Sequence, residues 1–230
     1  MKYVVVGAGG IGTQLLPSLC RFLDSTGNNC YILVLDGDSY EPKNVDRQHF
    51  SRYGNKAEVS AQTLAPLFSN ITIECRPVFV SEENAFLFVE EGDVVFACVD
   101  NHATRRILSR HCESLQNVTL ISGGNDYANG SVQVFLRRSG RNVTPPLTYL
   151  HPEIESPKDA HPEEMSCEEL VEAGSPQLIF TNLTAAALML NAFWMVESNQ
   201  TLPYTEVYFD LTTGAQRSVK REEKTYEFDF

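Results

Sequence analysis

The chain has 230 residues, of which 43% are hydrophobic and 21% charged, and its formal net charge is −12. These values fit a globular domain with a substantial core, and the acidic balance argues against nucleic-acid binding, which needs a basic face. The six cysteines form no CxxC pair, which indicates free thiols in a reducing, cytoplasmic compartment and no paired-knuckle zinc site.

Short apolar runs alternate with helical patterns in the first half of the chain, as in strand–helix–strand units around a parallel sheet. The predicted strands are KYVVV, CYILVLD, NITIECRPVFV, DVVFACVD and VTLISGG, and the predicted helices are GIGTQLLPSLCRFLDS, NKAEVSAQTLAPLF, SEENAFLFVEEG and NHATRRILSRHCESL. The fold class is therefore α/β, with a Rossmann-like, mostly parallel sheet and helices on both faces.

The pattern changes after Gly130. The run GSVQVFLRR predicts an antiparallel strand, and YTEVYFDLTT with AQRSVKRE predicts a hairpin across Gly214. Residues 139–175 are rich in Pro, Glu and Ser, and they are either disordered or a functional crossing loop. We predict a single domain over residues 1–230, with a nucleotide-binding core (1–138), the crossing loop (139–175), and a long helix, antiparallel hairpin and tail (176–230).

The predicted helix from Pro176 to about Ser198 is the most hydrophobic segment of the chain. Polar residues such as Asn182 and Asn191 interrupt it, and such residues are costly inside a membrane. We therefore expect a buried or dimer-interface helix and no membrane span.

The run GAGGIG, residues 7–12, lies between the first strand and the first helix and fits the pattern GxGxxG through Gly7, Gly9 and Gly12. Asp36 ends the second strand, at the distance where a dinucleotide fold holds a ribose. The glycines let the backbone approach a ligand, and the helix N-terminus favours an anion. The alternative is a tight strand–helix turn in an inactive relative.

Further charged residues follow. Arg47 and Lys56 offer phosphate-binding cations, and Asp100 ends the fourth strand, where its carboxylate can face the crevice beyond the sheet. A carboxylate that faces phosphates usually binds Mg²⁺. This combination favours a triphosphate site over a dinucleotide site. The alternatives are solvated surface cations and, for Asp100, a helix cap.

The order GxGGxG, LDGD, NxxRQ, GNKA and CVDNHATR resembles the ThiF/MoeB family and the adenylation domain of ubiquitin-activating enzymes, and SCEELVEAGSPQLIFTNLTAAAL resembles a later segment of that family. The resemblance implies that Asp36 holds the ribose of ATP, that Asn44, Arg47 and Lys56 hold its phosphates, and that Asp100 carries Mg²⁺. It places further residues in the same nucleotide site: Gly7, Gly9, Gly10, Gly12, Asp38, Gln48 and Asn101.

Cys167 is the candidate catalytic cysteine. It stands in EEMSCEEL, before the long helix, about where relatives place theirs. The surrounding glutamates should raise its thiol pKa and leave less thiolate. Both interpretations stay open at this point, a thioester or persulfide site and an incidental loop thiol.

The resemblance implies an adenylyltransferase that uses ATP and Mg²⁺ to activate the C-terminal glycine carboxylate of a small ubiquitin-like or sulfur-carrier protein. It also implies a homodimer. A peptide or small-molecule carboxylate is an alternative substrate. Two other classes remain: a catalytically inactive nucleotide-binding scaffold, and an NAD(P)- or FAD-dependent oxidoreductase, which would leave Arg47, Lys56 and Asp100 without a role.

Overall fold

The computed structural model describes residues 1–42, 48, 50–159, 178–198 and 202–221. Its strands are β1 (Lys2–Val6), β2 (Cys30–Leu35), β3 (Ser39–Tyr40), β4 (Gly54–Asn55), β5 (Ile71–Arg76), β6 (Val94–Ala97), β7 (Val118–Asn125), β8 (Asn129–Arg138), β9 (Arg141–Asn142), β10 (Glu206–Asp210) and β11 (Ala215–Val219). Its helices are α1 (Gly10–Ser25), α2 (Lys56–Leu64), α3 (Ala85–Phe88), α4 (His102–Ser114), α5 (Leu147–Leu150), α6 (Pro152–Glu155) and α7 (Ile179–Glu197).

The parallel part of the main sheet has the strand order β5-β2-β1-β6-β7. These strands are apolar and largely β-branched, as expected for strands that helices cover on both sides. Leu35, Val6 and Ala97 stand in register across the sheet, so β2, β1 and β6 end together at one edge. The loops that carry the predicted nucleotide site leave the sheet at this edge.

The antiparallel extension is confirmed. Strand β8 returns beside β7, and β10 and β11 continue the sheet on that side. Gly214 has φ +69° at the turn between β10 and β11, where a positive φ suits glycine. The predicted fold class is therefore correct in both its parallel and antiparallel parts.

A hydrophobic cluster fills each face of the sheet. On one face α1 and α7 pack together, and Phe193 of α7 makes edge-on ring contacts with Tyr3, Phe22 and Phe96. On the other face α4 contacts α5 and α6, and Leu108 and Ile154 are almost completely buried there. The first cluster thus fixes α1, which carries Gly10 and Gly12, and the second fixes α4, which begins directly after Asn101.

The helix predicted for SEENAFLFVEEG is wrong in length, because only Ala85–Phe88 is helical. The Asn84 side chain accepts from the Ser81 amide at 2.8 Å and donates to the Phe79 carbonyl at 2.9 Å, which fixes a turn before the helix. After Phe88 the backbone becomes extended, and Val89 enters the core. A side chain that bonds to nearby backbone groups competes with helix formation in this way.

The described part of the predicted crossing loop is ordered through residue 159. It contains β9 and the short helices α5 and α6, and it buries Leu147 and Ile154 against the sheet. Residues 160–177 lie outside the described residues, and so does Pro176. The long helix is first described at Ile179 and ends at Glu197, close to the predicted end.

Helix α7 is long and apolar enough to cross a membrane, with a hydropathy of 1.5. Its small and buried residues face α1 and β7. Large apolar side chains lie on the opposite side, where Phe180, Leu183 and Trp194 are 62%, 50% and 47% exposed. Their spacing along the helix produces an unpartnered apolar stripe on the described surface.

Candidate functional site

The glycine loop connects β1 to α1 at the carboxyl edge of the sheet. Gly7 has φ +92°, and a methyl group on Gly12 would lie 2.1 Å from the Gly7 carbonyl oxygen. Only glycine at residue 12 therefore allows this tight strand-to-helix turn. Helix α1 begins at Gly10 after Gly9, which supplies no side-chain cap, so among the described residues N–H groups of its first turn remain available to an anion.

Asp36 lies directly against this loop. Its Oδ2 accepts from the Ala8 amide at 2.6 Å, and its Oδ1 accepts from the Asp38 amide at 2.8 Å. Burial raises the pKa of Asp36 to about 6, the nearby Lys56 opposes that rise, and Asp38 adds to it. The carboxylate is fixed in orientation and can accept a hydroxyl group from a ligand in the crevice.

Lys56 and Asp38 form an ion pair, with Nζ and Oδ2 2.8 Å apart. Lys56 is 7% exposed, whereas the side chain of Asp38 is 44% exposed. Lys56 opens α2, and its amide donates to the Asp38 carbonyl at 2.9 Å. The structure thus brings Asp36, Asp38 and Lys56 together, as the sequence predicted.

Asn55 is a site residue that the sequence analysis missed. Its Nδ2 donates to the carbonyls of Asp36 and Asp38 at 2.8 and 3.0 Å, and its Oδ1 caps α2 by accepting from the Glu58 amide. An asparagine just before a helix is a normal cap, and that signal was present in GNKA. Asn55 also holds residues 36–38 in place. This second role depends on contacts between residues that are far apart in the sequence.

Gln48 is 7% exposed, and its Nε2 lies 3.7 Å from the position of a methyl group on Gly9. Gln48, which follows β3 in the chain, therefore lies beside the glycine loop between β1 and α1. The other members of the predicted set, Asn44, Arg47 and Cys167, lie outside the described residues, and their roles stay predictions.

Asp100 and Asn101 follow β6 at the same edge of the sheet. The cap of α4 is Asn101, whose Oδ1 accepts from the Thr104 amide at 2.8 Å. The interpretation of Asp100 as the cap is therefore wrong. Asp100 is exposed, and its carboxylate stays available for a ligand, whereas one side-chain atom of Asn101 is engaged by the helix.

Arg105 is a second residue that the sequence analysis missed. It is 8% exposed, and its Nη2 donates to the carbonyls of Val99 and Gly123 at 2.8 and 3.2 Å. Burial lowers the pKa of Arg105, and Asp100 is the first of several carboxylates that oppose this. Arg105 thus fixes the ends of β6 and β7 and places a positive charge behind Asp100.

The end of the described crossing segment lies next to this point. Asp159 Oδ2 accepts from the His102 amide at 2.5 Å, in the first turn of α4. Where the chain is described again, the Leu178 amide donates to the Tyr127 carbonyl at 3.4 Å and the Thr181 hydroxyl donates to it at 2.8 Å. Both anchors, at Asp159 and at Leu178, lie at the carboxyl edge of the sheet.

A separate polar cluster joins the crossing segment to β10. His151 bridges Glu153 and Glu206, and Glu206 also accepts from Arg221 at 2.8 Å and from the Tyr208 hydroxyl at 3.0 Å. Burial alone would lower the pKa of His151, but its hydrogen bonds to Glu206 and Glu153 raise it. This cluster ties residues 151–153 to the sheet.

The geometry suits a nucleoside triphosphate. The Asp36 carboxylate can accept a ribose hydroxyl, the start of α1 can take phosphate oxygens, and the buried Lys56 adds a cation. In the described residues no group of three or more His, Cys, Asp or Glu side chains could hold a metal ion. An ion at Asp100 would therefore need phosphate oxygens among its ligands, which is how Mg²⁺ commonly binds nucleotides.

The sequence model of the ThiF family matches residues 1–218 of the chain. The adenylyltransferase and sulfurtransferase UBA4 of Candida albicans is 31% identical over 137 residues, which are 58% of this chain and 30% of that protein. The SUMO-activating enzyme subunit uba-2 of Caenorhabditis elegans is 30% identical over 142 residues, which are 59% of this chain and 23% of that protein. The matched region is thus less than a third of either relative.

The fold is similar to that of a solved bacterial protein. The structure of E. coli MccB with ATP has a TM-score of 0.69 and 18% identity, and the similarity covers 95% of this chain and 63% of that one. The structure of E. coli MccB with MccA-N7isoASN has a TM-score of 0.71, also at 18% identity, and covers 95% and 64%. At this identity the likeness establishes the architecture alone.

Proposed function

We propose that the chain, which belongs to the ThiF family, uses ATP to adenylate the C-terminal glycine carboxylate of a small ubiquitin-like or sulfur-carrier protein. One observation carries the proposal. The Asp36 carboxylate and the buried Lys56 ammonium flank Asp38 at the mouth of the glycine loop. A ribose acceptor beside a buried cation suits a nucleotide with phosphate groups, and membership of the ThiF family favours ATP over a dinucleotide.

The names of the relatives support this activity. UBA4 of Candida albicans is an adenylyltransferase, and uba-2 of Caenorhabditis elegans is a subunit of a SUMO-activating enzyme. The solved MccB structures include a complex with ATP and others with the peptide MccA. A peptide carboxylate is therefore the second candidate substrate.

The reaction depends more on how the protein positions the reactants than on covalent chemistry by its own side chains. A carboxylate oxygen of the partner attacks the α-phosphorus of ATP, an acyl–phosphate bond forms, and the bond to the β-phosphate breaks as pyrophosphate leaves. Asp36 would fix the ribose, while Lys56 and the start of α1 would stabilise negative charge on the phosphates. Asn44 and Arg47 would add to this phosphate binding by their place in the family pattern.

We assign Mg²⁺ to Asp100 within the same proposal. The support is an exposed carboxylate at the end of β6 that no helix cap engages. A bound Mg²⁺ would neutralise phosphate charge and favour departure of pyrophosphate. Arg105 would hold the backbone that presents Asp100, through its bond to the Val99 carbonyl.

A second step on Cys167 is also proposed. Its thiolate would attack the adenylated carbonyl, a thioester would form, and AMP would leave. The support is its position in the sequence, between the two anchors at Asp159 and Leu178. Detection of a thioester that dithiothreitol removes and that Cys167→Ala abolishes would test this step.

We further propose a cytoplasmic homodimer with no nucleic-acid or membrane partner. The apolar stripe of α7, with its exposed side chains Phe180, Leu183 and Trp194, follows heptad spacing and suits a second copy of the helix. The described cysteines are free thiols, which supports a reducing compartment. The net charge of −12 does not favour a polyanionic partner.

ATP–pyrophosphate exchange tests the proposed activity. The purified chain is incubated with Mg²⁺·ATP, labelled pyrophosphate and a carrier protein that ends in Gly-Gly. We expect exchange that depends on the carrier and disappears in Asp100→Ala and Asp36→Asn. If the chain binds ATP but catalyses no pyrophosphate exchange with any carrier protein tested, it is a nucleotide-binding scaffold. Binding of NAD⁺ or NADH, but not ATP, would indicate an oxidoreductase.

A further inference from the structure

The N-termini of α1 and α7 meet at the carboxyl edge of the sheet. Helix α7 packs along α1, and Asn182, in the first turn of α7, lies over Gly10, the first residue of α1. A methyl group on Gly10 would lie 2.5 Å from Nδ2 and 2.7 Å from Oδ1 of Asn182. The carboxamide of Asn182 is therefore in van der Waals contact with the start of the glycine loop.

The N-cap residues of these two helices supply no side-chain cap. Helix α1 begins after Gly9 and helix α7 after Leu178, and neither residue makes a side-chain cap bond. In contrast, α2 and α4 are capped by Asn55 and Asn101. Two adjacent long helices thus direct first-turn N–H groups and positive dipole ends towards one place.

The Asn182 carboxamide has no partner in the part of the chain that the structure describes. Its exposure is 0%, and both Nδ2 and Oδ1 lack a hydrogen bond. A buried amide with unmade bonds destabilises the fold, whereas an apolar side chain of the same shape would not. An asparagine at this position is therefore explained if its amide has a partner in the ligand-bound state.

We propose that the N-termini of α1 and α7, with Asn182 as buried donor, form a binding site for a phosphate group of the nucleotide. This inference rests on the proposed function and adds a residue from the C-terminal third of the chain to the phosphate site. A phosphate oxygen that binds first-turn N–H groups of α1 lies within reach of a side chain that contacts Gly10. The dipoles of both helices and the Nδ2 donor all favour a negative charge there.

Polyphosphate binding tests the site without a partner protein or turnover. Calorimetric titration with tripolyphosphate and with adenosine is compared in the wild type, Asn182→Leu and Asn191→Leu. Asn191 is the matched control, because it lies on the same helix and its Nδ2 donates instead to the Tyr204 hydroxyl. We expect Asn182→Leu to weaken tripolyphosphate binding about tenfold or more and to leave adenosine binding unchanged, while Asn191→Leu changes neither.

A second measurement covers the case in which Asn182→Leu fails to fold. The side-chain NH₂ signals of Asn182 in the ¹H–¹⁵N spectrum of the wild type are assigned by their loss in Asn182→Asp. Tripolyphosphate should shift these signals, and adenosine should not. Absence of a shift, equal weakening of tripolyphosphate and adenosine binding, or no tripolyphosphate binding by the wild type would overturn the inference.

The two proposals fail in different ways. Tripolyphosphate binding that depends on Asn182, without pyrophosphate exchange, would support the anion site and contradict the adenylation reaction. Pyrophosphate exchange with tripolyphosphate binding that Asn182→Leu leaves intact would support the reaction and overturn the site.

Discussion

The Lys56 ammonium lies 2.8 Å from the Asp38 carboxylate, and both residues belong to the predicted nucleotide site. The lysine is nearly buried and the aspartate is half-exposed, so water can solvate the carboxylate but not the cation. In the proposed function, an incoming phosphate would compete with Asp38 for Lys56, and the ion pair would keep the lysine oriented until the phosphate arrives.

Replacement of Lys56 by Met should weaken the binding of ATP about tenfold or more, because a charge-assisted bond to phosphate is lost. Adenosine carries no phosphate, and its affinity should change little. Calorimetric titration of both ligands checks this. Equal loss for ATP and adenosine would contradict the assignment of Lys56 to the phosphates.

The raised pKa of Asp36 predicts pH-dependent nucleoside binding. The ionised carboxylate is the better acceptor for a ribose hydroxyl, so adenosine affinity should be highest well above pH 6 and should fall as the pH drops through about 6. Adenosine is the suitable ligand because it has no titrating phosphate. The Asp36→Asn variant should bind more weakly and show no such titration between pH 5 and 7.5, and the same titration in that variant would exclude Asp36 as the group.

Gly12→Ala should destabilise the fold by roughly 1–3 kcal/mol, as overpacking against backbone usually does. The added methyl group would meet the Gly7 carbonyl oxygen at 2.1 Å, and backbone cannot move aside as a flexible side chain can. Gly9→Ala is the matched control, since its methyl group would meet Gln48 at 3.7 Å. Urea unfolding of both variants measures the difference in stability. Similar losses of stability in Gly12→Ala and Gly9→Ala would contradict this prediction.

The cluster around His151 predicts a loss of stability at alkaline pH. Its pKa is raised in the folded state, so its stabilising contribution is complete below the unfolded value of 6.5 and is lost as pH rises through the folded pKa. We expect the wild type to lose more of its free energy of unfolding than His151→Gln does between pH 6 and 9. Urea unfolding at several pH values measures this, and parallel profiles for the two proteins would rule out the effect.

The apolar stripe of α7 predicts self-association. Leu183→Glu with Trp194→Glu should convert a dimer to a monomer in sedimentation experiments, because two buried charges would face an apolar partner surface. Leu87→Glu is the control, as Leu87 is 62% exposed on α3. A monomeric wild type, or a dimer that survives the double substitution, would contradict the proposed interface.

The parts of the fold that the sequence predicted depend on local patterns. The glycine loop with Asp36, the alternating strands and helices, and the hairpin across Gly214 are all local, and the structure contains each of them. The long helix of SEENAFLFVEEG failed because Asn84 bonds to the backbone beside it. The residues of this segment alone do not show whether the Asn84 side chain will bond to the backbone or leave the helix intact.

The site residues that the sequence did not predict act through distant contacts. Arg105 bonds to carbonyls at the ends of two strands, and Asn182 reaches Gly10 from the other end of the chain. Neither role has a signature in the residues beside it. Asn55 is the exception, because its position before a helix indicates a cap. Only its contacts with the carbonyls of Asp36 and Asp38 could not be predicted from the sequence.

Acidic side chains outnumber basic ones at the described mouth of the site, where Asp36, Asp38 and Asp100 accompany the nearly buried Lys56 and Arg105. A free polyphosphate carries several negative charges and is repelled as it diffuses towards such a surface. At 0.1 M ionic strength, salt largely screens this repulsion at distances beyond about 10 Å. Encounter with the nucleotide should therefore be faster in salt and for the magnesium complex than for the bare anion, which is the reverse of the usual steering of ATP by a basic cleft.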